Sequence, residues 1–140
     1  SIENQINNID FLHNNSFEIE NKILCGTRGW SLLEEDSEED KKIIAREASR
    51  LRISLQDGIQ KYGNEKEIIA FLHYPPITQA NLLKNEPSPF IEVLKEYKVK
   101  KSYYGHLHGS AIKDAINRNI DGIELKLVSA DGVDFKLQKI

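Results

Sequence analysis

The chain has no methionine and a single cysteine, Cys25, among its 140 residues. One thiol excludes an internal disulfide, and a chain that does without disulfides suits a reducing compartment, so a cytoplasmic setting is expected. Long apolar runs are also missing. The run from Ile68 to Leu72 falls far short of the roughly 18 residues that a membrane-spanning helix needs, so no membrane partner is expected. The opening "SIENQINNID" has neither the basic start nor the apolar centre of a secretory signal. An excess of positive charge is absent too: 19 Lys and Arg stand against 22 Asp and Glu, a net charge of −3. That balance gives no general attraction to nucleic acid or to an anionic surface. Ser1 in place of methionine fits either a removed initiator or a cut inside a longer chain.

What is present suits one globular unit, with 39% hydrophobic and 29% charged residues. "SFEIENKILC" alternates around Glu20 and Asn21 and predicts a hairpin or two short strands from Ser16 to Cys25. Ser37 is a good helix cap, with Glu38, Glu39 and Asp40 in the first turn. Ile44, Ala48, Leu51, Leu55, Ile59 and Tyr62 then form one apolar stripe that ends at Gly63. The opposite face, with Lys41, Lys42, Arg46, Arg50 and Arg52, reads as solvated, with an anion site as the alternative. "EIIAFLH" predicts a strand covered on both faces, "SPFIEVLKEY" a second helix capped by Ser88, and "KKSYYG" a short strand. "GIELKLVS" and "VDFKLQKI", joined by "ADG", predict a closing hairpin. This order describes an α/β chain with a mixed sheet and flanking helices. Cys25 reads as a small buried hydrophobe, and His13 as a surface turn residue.

Three of the four histidines, His73, His106 and His108, fall at the exits of predicted strands. Sites in such sheets collect at the carboxyl ends of the strands, and neutral imidazole is a good ligand for zinc, manganese or iron. The glycines flanking "HLH" leave the loop free to turn its rings inward. Arg28 and Trp30 in "GTRGW" offer a cation and a flat ring to a phosphate ester. The alternative is that Trp30 packs under its loop and Arg28 pairs with the acidic stretch "EEDSEED".

"FLHYPP" followed by "YYGHLHG" resembles the last two metal motifs of the calcineurin-like metallophosphoesterases, and "GTRGW" with the ending "LVSADGVDFKL" is similar to a bacterial subgroup of predicted phosphohydrolases. The resemblance runs from about Cys25 to Ile140. It implies an α/β/β/α sandwich and a centre of two divalent metal ions, manganese, iron or zinc. His73 and His106 would ligate one ion and His108 the other. Such a pair of cations clamps the oxygens of an in-line phosphoryl displacement and supplies hydroxide near neutral pH.

The chain departs from that pattern upstream of His73, where the family's Asp-x-His, Gly-Asp and Gly-Asn-His-Asp motifs have no counterpart. Two dications need a bridging carboxylate between them, and those motifs would carry it. Residues 1–140 are therefore expected to be the C-terminal portion of one metallophosphoesterase domain, inactive by itself on phosphate mono- or diesters. Two other functions fit the same residues: a non-catalytic module that docks a partner or a second copy through an uncovered sheet face, and a mononuclear zinc protein built on the three histidines.

Overall fold

The computed structural model describes residues 8–33 and 35–140. Six strands form one mixed sheet in the order β1-β2-β3-β4-β6-β5: β1 (Ser16–Ile19), β2 (Lys22–Thr27), β3 (Glu67–Leu72), β4 (Lys101–Tyr104), β5 (Asn119–Ile120) and β6 (Ile123–Leu127). Strands β2, β3, β4 and β6 run parallel, while β1 and β5 pair antiparallel at the two edges. The expected first hairpin is present, with Ser16 opposite Cys25.

The parallel strands stand in the sheet in chain order. Right-handed crossovers taken repeatedly in one direction leave every connecting helix on the same face. Those helices are α1 (Glu38–Tyr62), α2 (Gln79–Lys84) and α3 (Pro89–Glu96). Helix α1 begins at a capping box in which the Ser37 hydroxyl accepts from the Asp40 amide at 3.1 Å, a device worth about 1 kcal/mol. It stops at Gly63, whose φ of 88° favours glycine. Its stripe of Ile44, Ala48, Leu51 and Leu55 packs with Phe90, Val93 and Leu94 of α3 onto Ile23, Cys25, Ile68, Ala70, Leu72, Tyr104, Leu125 and Leu127 of the sheet. Each fully buried leucine there contributes roughly 2 kcal/mol.

Among the described residues, the other face carries no helix. Phe71 and Tyr103 stack on it with ring centroids 5.4 Å apart, and residues 134–140 lie against it as an irregular strap, Phe135, Leu137 and Ile140 lining a pocket together with both rings. Lys126 donates to the Gln138 side chain at 2.7 Å, and Lys22 donates to the Ile140 carbonyl at 3.2 Å. β3 is covered on both faces, but unevenly on this one: Ile69 is fully buried and Phe71 only partly.

The strap corrects the expected closing hairpin. Residues 133–140 do not pair with β6; Phe135 and Leu137 are 81% and 103% exposed. Asp134 and Phe135 both take positive φ, 51° and 56°, which breaks any extended run. The antiparallel partner of β6 is β5, joined to it through Asp121 and Gly122 at φ 53° and 89°. Two left-handed residues of this kind make the tight turn that matches strand twist. No described helix is long and apolar enough to cross a membrane.

Candidate metal centre

Each parallel strand delivers a polar residue to the same edge of the sheet as it ends. Arg28 follows β2, His73 follows β3, His106 and His108 follow β4, and Asp131 lies just past β6. Backbone hydrogen bonds lace these exits together. The amides of His73 and Tyr74 both donate to the Arg28 carbonyl at 3.1 Å, and the Gly105 amide donates to the His73 carbonyl at 3.1 Å. The Tyr104 hydroxyl accepts from the Ile116 amide and donates to the Ile116 carbonyl, at 2.7 and 3.0 Å, which closes the loop that carries both histidines of "HLH".

That loop turns at a histidine. The Leu107 amide donates to the Gly105 carbonyl at 2.8 Å, a three-residue turn with His106 at its centre and φ of 69°. A side chain in this rare γ-turn is strained by about 1–3 kcal/mol. Of the two flanking glycines, Gly109 takes positive φ, 57°, whereas Gly105 does not. The freedom assigned to both glycines is therefore used at one, and His106 carries the other sharp turn itself.

The result brings His73 and His106 together. Nε2 of His73 lies 3.3 Å from Nδ1 of His106, with the rings at 73° to each other. Hydrogen bonds donated by N–H centre on about 2.9–3.0 Å. Two nitrogens bound to one tetrahedral ion at about 2.0–2.1 Å lie about 3.3–3.4 Å apart, which is the spacing seen. Burial pushes the His73 imidazole below its usual range, helped by the neighbouring charges of His106, His108 and Arg28. The neutral, metal-binding form is favoured accordingly. Tyr74 packs against both imidazoles, 4.9 Å from His73 and 4.4 Å from His106 between centroids, and Trp30 lies 5.7 Å beyond it. Tyr74 thus acts here as a wall.

His108 reaches the same edge but does not join the pair. Its Nδ1 lies 2.7 Å from Oδ1 of Asp131, whose Oδ2 accepts from the Gly109 amide at 2.8 Å. The Gly109 N–H, and after it His108, hold the Asp131 carboxyl below its ordinary range. A carboxylate on one ring nitrogen fixes the tautomer and leaves Nε2 as the ligating atom, the usual support of a metal-bound histidine. Among the described residues, no group of three or more His, Cys, Asp or Glu is set to hold one ion. The chain's own residues therefore fit a partial centre: two converging imidazoles for one cation, and a third, separately braced, beside it. Asp131 was not anticipated, since "ADG" reads as a hairpin turn.

Among the described residues, the carboxylate that Arg28 meets is not in the acidic stretch. Arg28 Nη2 lies 3.3 Å from Oε1 of Glu47, and the guanidinium sits 4.7 Å over the Trp30 ring. It is Trp30 that reaches that stretch, donating from Nε1 to Asp40 at 3.1 Å. Glu47 was also unforeseen: it interrupts the basic face of α1 yet is fully buried. Its Oε2 accepts from the Thr27 hydroxyl at 3.1 Å. Cys25 is buried as expected, and burial pushes its thiol up to about 11. His13 is exposed. Compared with known proteins, the chain matches no family model, no curated protein and no solved structure.

Proposed function

We propose that this chain carries the histidine-rich part of a divalent-metal phosphoesterase centre, with Arg28 as a phosphate contact and the remaining ligands supplied by a segment that completes an α/β/β/α sandwich. The observation that carries the proposal is the 3.3 Å approach of His73 Nε2 to His106 Nδ1 at the exits of adjacent parallel strands. It is supported by the metallophosphoesterase-like motifs in which both residues sit. His73 and His106 hold one ion and His108, braced by Asp131, holds the second. When bound, the ions supply a polarised phosphoryl oxygen and a water acidic enough to attack near neutral pH.

The chain's own residues do the positioning. Tyr74 and Trp30 exclude water from one side of the pair. The Asp131 carboxylate keeps the His108 proton on Nδ1. Arg28, stacked on Trp30, offers a charged donor to a phosphate oxygen. No described carboxylate lies between the imidazoles as a bridge, so the chain alone is expected to bind metal weakly and to turn over no ester.

Calorimetric titration of manganese and zinc into the purified chain tests this. Wild type should bind, and His73→Ala and His106→Ala should each weaken binding at least about tenfold. Equal affinity in wild type and both variants would discard the proposal. A docking module is the second reading, and the sheet face over which no described helix lies, with its Phe71–Tyr103 stack, favours it. That reading requires a chain that self-associates and takes up no metal.

A further inference from the structure

Beside the histidine pair lies a cluster of which the reading above uses only Arg28. Oε1 of the fully buried Glu47 gathers three guanidiniums: Arg50 Nη1 at 2.7 Å, Arg28 Nη2 at 3.3 Å and Arg46 Nε at 3.7 Å. The other carboxylate oxygen is taken by Thr27. One carboxylate cannot neutralise three guanidiniums, so the cluster keeps an excess of positive charge. Nor can it use their donors: Arg28 and Arg50 each make one hydrogen bond to Glu47, and Arg46 makes an ion pair without one. The arginine side chains are 44%, 53% and 39% exposed, in chain order, so their heads stay open to solvent while their inner edge is pinned.

The charges are also held in place. Arg28 lies on the face of Trp30, and Trp30 is tied to Asp40, whose second oxygen bonds the Ser37 hydroxyl at 2.6 Å. The same Arg28 carbonyl accepts from the His73 and Tyr74 amides, so the cluster adjoins the imidazoles through one backbone junction. Planar guanidiniums in a pinned, partly dehydrated group are the protein's best receptor for a tetrahedral oxyanion, because each presents paired donors to it.

We propose that Arg28, Arg46 and Arg50 form a phosphate receptor next to the His73–His106 pair, so that the preferred substrate carries a second phosphoryl group beside the one processed. The receptor itself needs no metal; its role in choosing a substrate rests on the phosphoesterase reading above. The substrate class is then a phosphoanhydride, or an ester flanked by another phosphate, rather than a neutral-tailed monoester.

Equilibrium dialysis of the chelator-treated chain against labelled pyrophosphate at low ionic strength tests the receptor. Wild type should bind about one equivalent saturably, and Arg46→Gln and Arg50→Gln should each weaken binding about tenfold, with Arg50→Lys in between. Binding should shift the emission of Trp30, the chain's one tryptophan. The double variant Lys41→Gln, Lys42→Gln should bind as wild type. Absence of saturable binding overturns the receptor, and so does equal loss in the lysine variant, which would mark a diffuse charge effect. Circular dichroism confirms that each variant is folded. Because metal is removed, failure of the metal titration leaves this result standing, and failure here leaves the metal titration standing.

Discussion

Asp131 Oδ1 lies 2.7 Å from His108 Nδ1, across two loops that leave β4 and β6 at one edge of the sheet. The contact gives His108 a single tautomer and adds negative charge behind the ring, and both effects strengthen Nε2 as a ligand. Asp131→Ala should therefore lower metal affinity at the His108 position by about 10–100-fold while leaving the ion on His73 and His106 in place. Two-site analysis of a zinc titration reads this directly. Loss of both sites together would show that Asp131 holds the whole edge rather than one ring.

His106 sits at φ 69°, where a Cβ is strained and glycine is not. Two variants separate the ring from the backbone. His106→Ala removes the imidazole and keeps the strain, whereas His106→Gly removes both. In the absence of metal, His106→Gly should be more stable than His106→Ala by about 1 kcal/mol, measured by urea unfolding. Equal stability would mean that the loop relaxes out of the turn once the ring is gone, and that the imidazole pair itself imposes the geometry.

Much of this architecture is legible in the sequence, and the failures have specific causes. The stripe from Ile44 to Leu55 and the Ser37 cap mark α1 because burial on one face and a polar cap leave periodic traces. Helix α2 leaves none: it has six residues, too few for a period, although Thr78 and Asn81 form its capping box. The last hairpin was misplaced because two Asp-Gly pairs compete, Asp121-Gly122 and Asp131-Gly132. Only the first makes the turn. β6 pairs with β4 on one side and β5 on the other, so no edge is left for residues 133–140. The second Asp-Gly pair was thereby free to bring Asp131 to His108. Glu47 escaped notice for a related reason, since a helical pattern cannot show that Thr27 and Arg28 arrive from the end of β2 to join Arg46 and Arg50 of the same helix around a buried carboxylate.

Gly58 lies within α1, where alanine would ordinarily be favoured by about 1 kcal/mol. Here an added Cβ would stand 2.7 Å from Ile23 Cγ2 and 2.9 Å from Cys25 Sγ, both in the packed layer beneath the helix. Overpacking of this kind costs about 1–3 kcal/mol, so the contact outweighs the propensity. Gly58→Ala should be destabilised by about 1–2 kcal/mol, and the loss should shrink in a Cys25→Ala background that removes one of the two clashes. A stabilised single variant would show that α1 stands further from the sheet than these contacts imply.

Cys25 links the same layer to pH. Its thiol is pushed from 9.0 up to about 11, chiefly by burial, with the Asp57 charge adding and the Ser54 hydrogen bond opposing. Between those two values the unfolded chain loses the thiol proton while the folded chain keeps it. The native state then binds more protons than the unfolded one, so stability falls as pH rises. The slope from this group approaches about 1.4 kcal/mol per pH unit in that window, and below pH 9 it vanishes. Lysines and tyrosines titrate nearby, so the measurement is a difference: urea unfolding of wild type and Cys25→Ala at several pH values from 8 to 11. The gap between the two proteins should narrow in favour of the variant as pH rises. A constant gap would mean that the thiol ionises as easily inside the fold as outside it, and that the contact between α1 and β2 admits water.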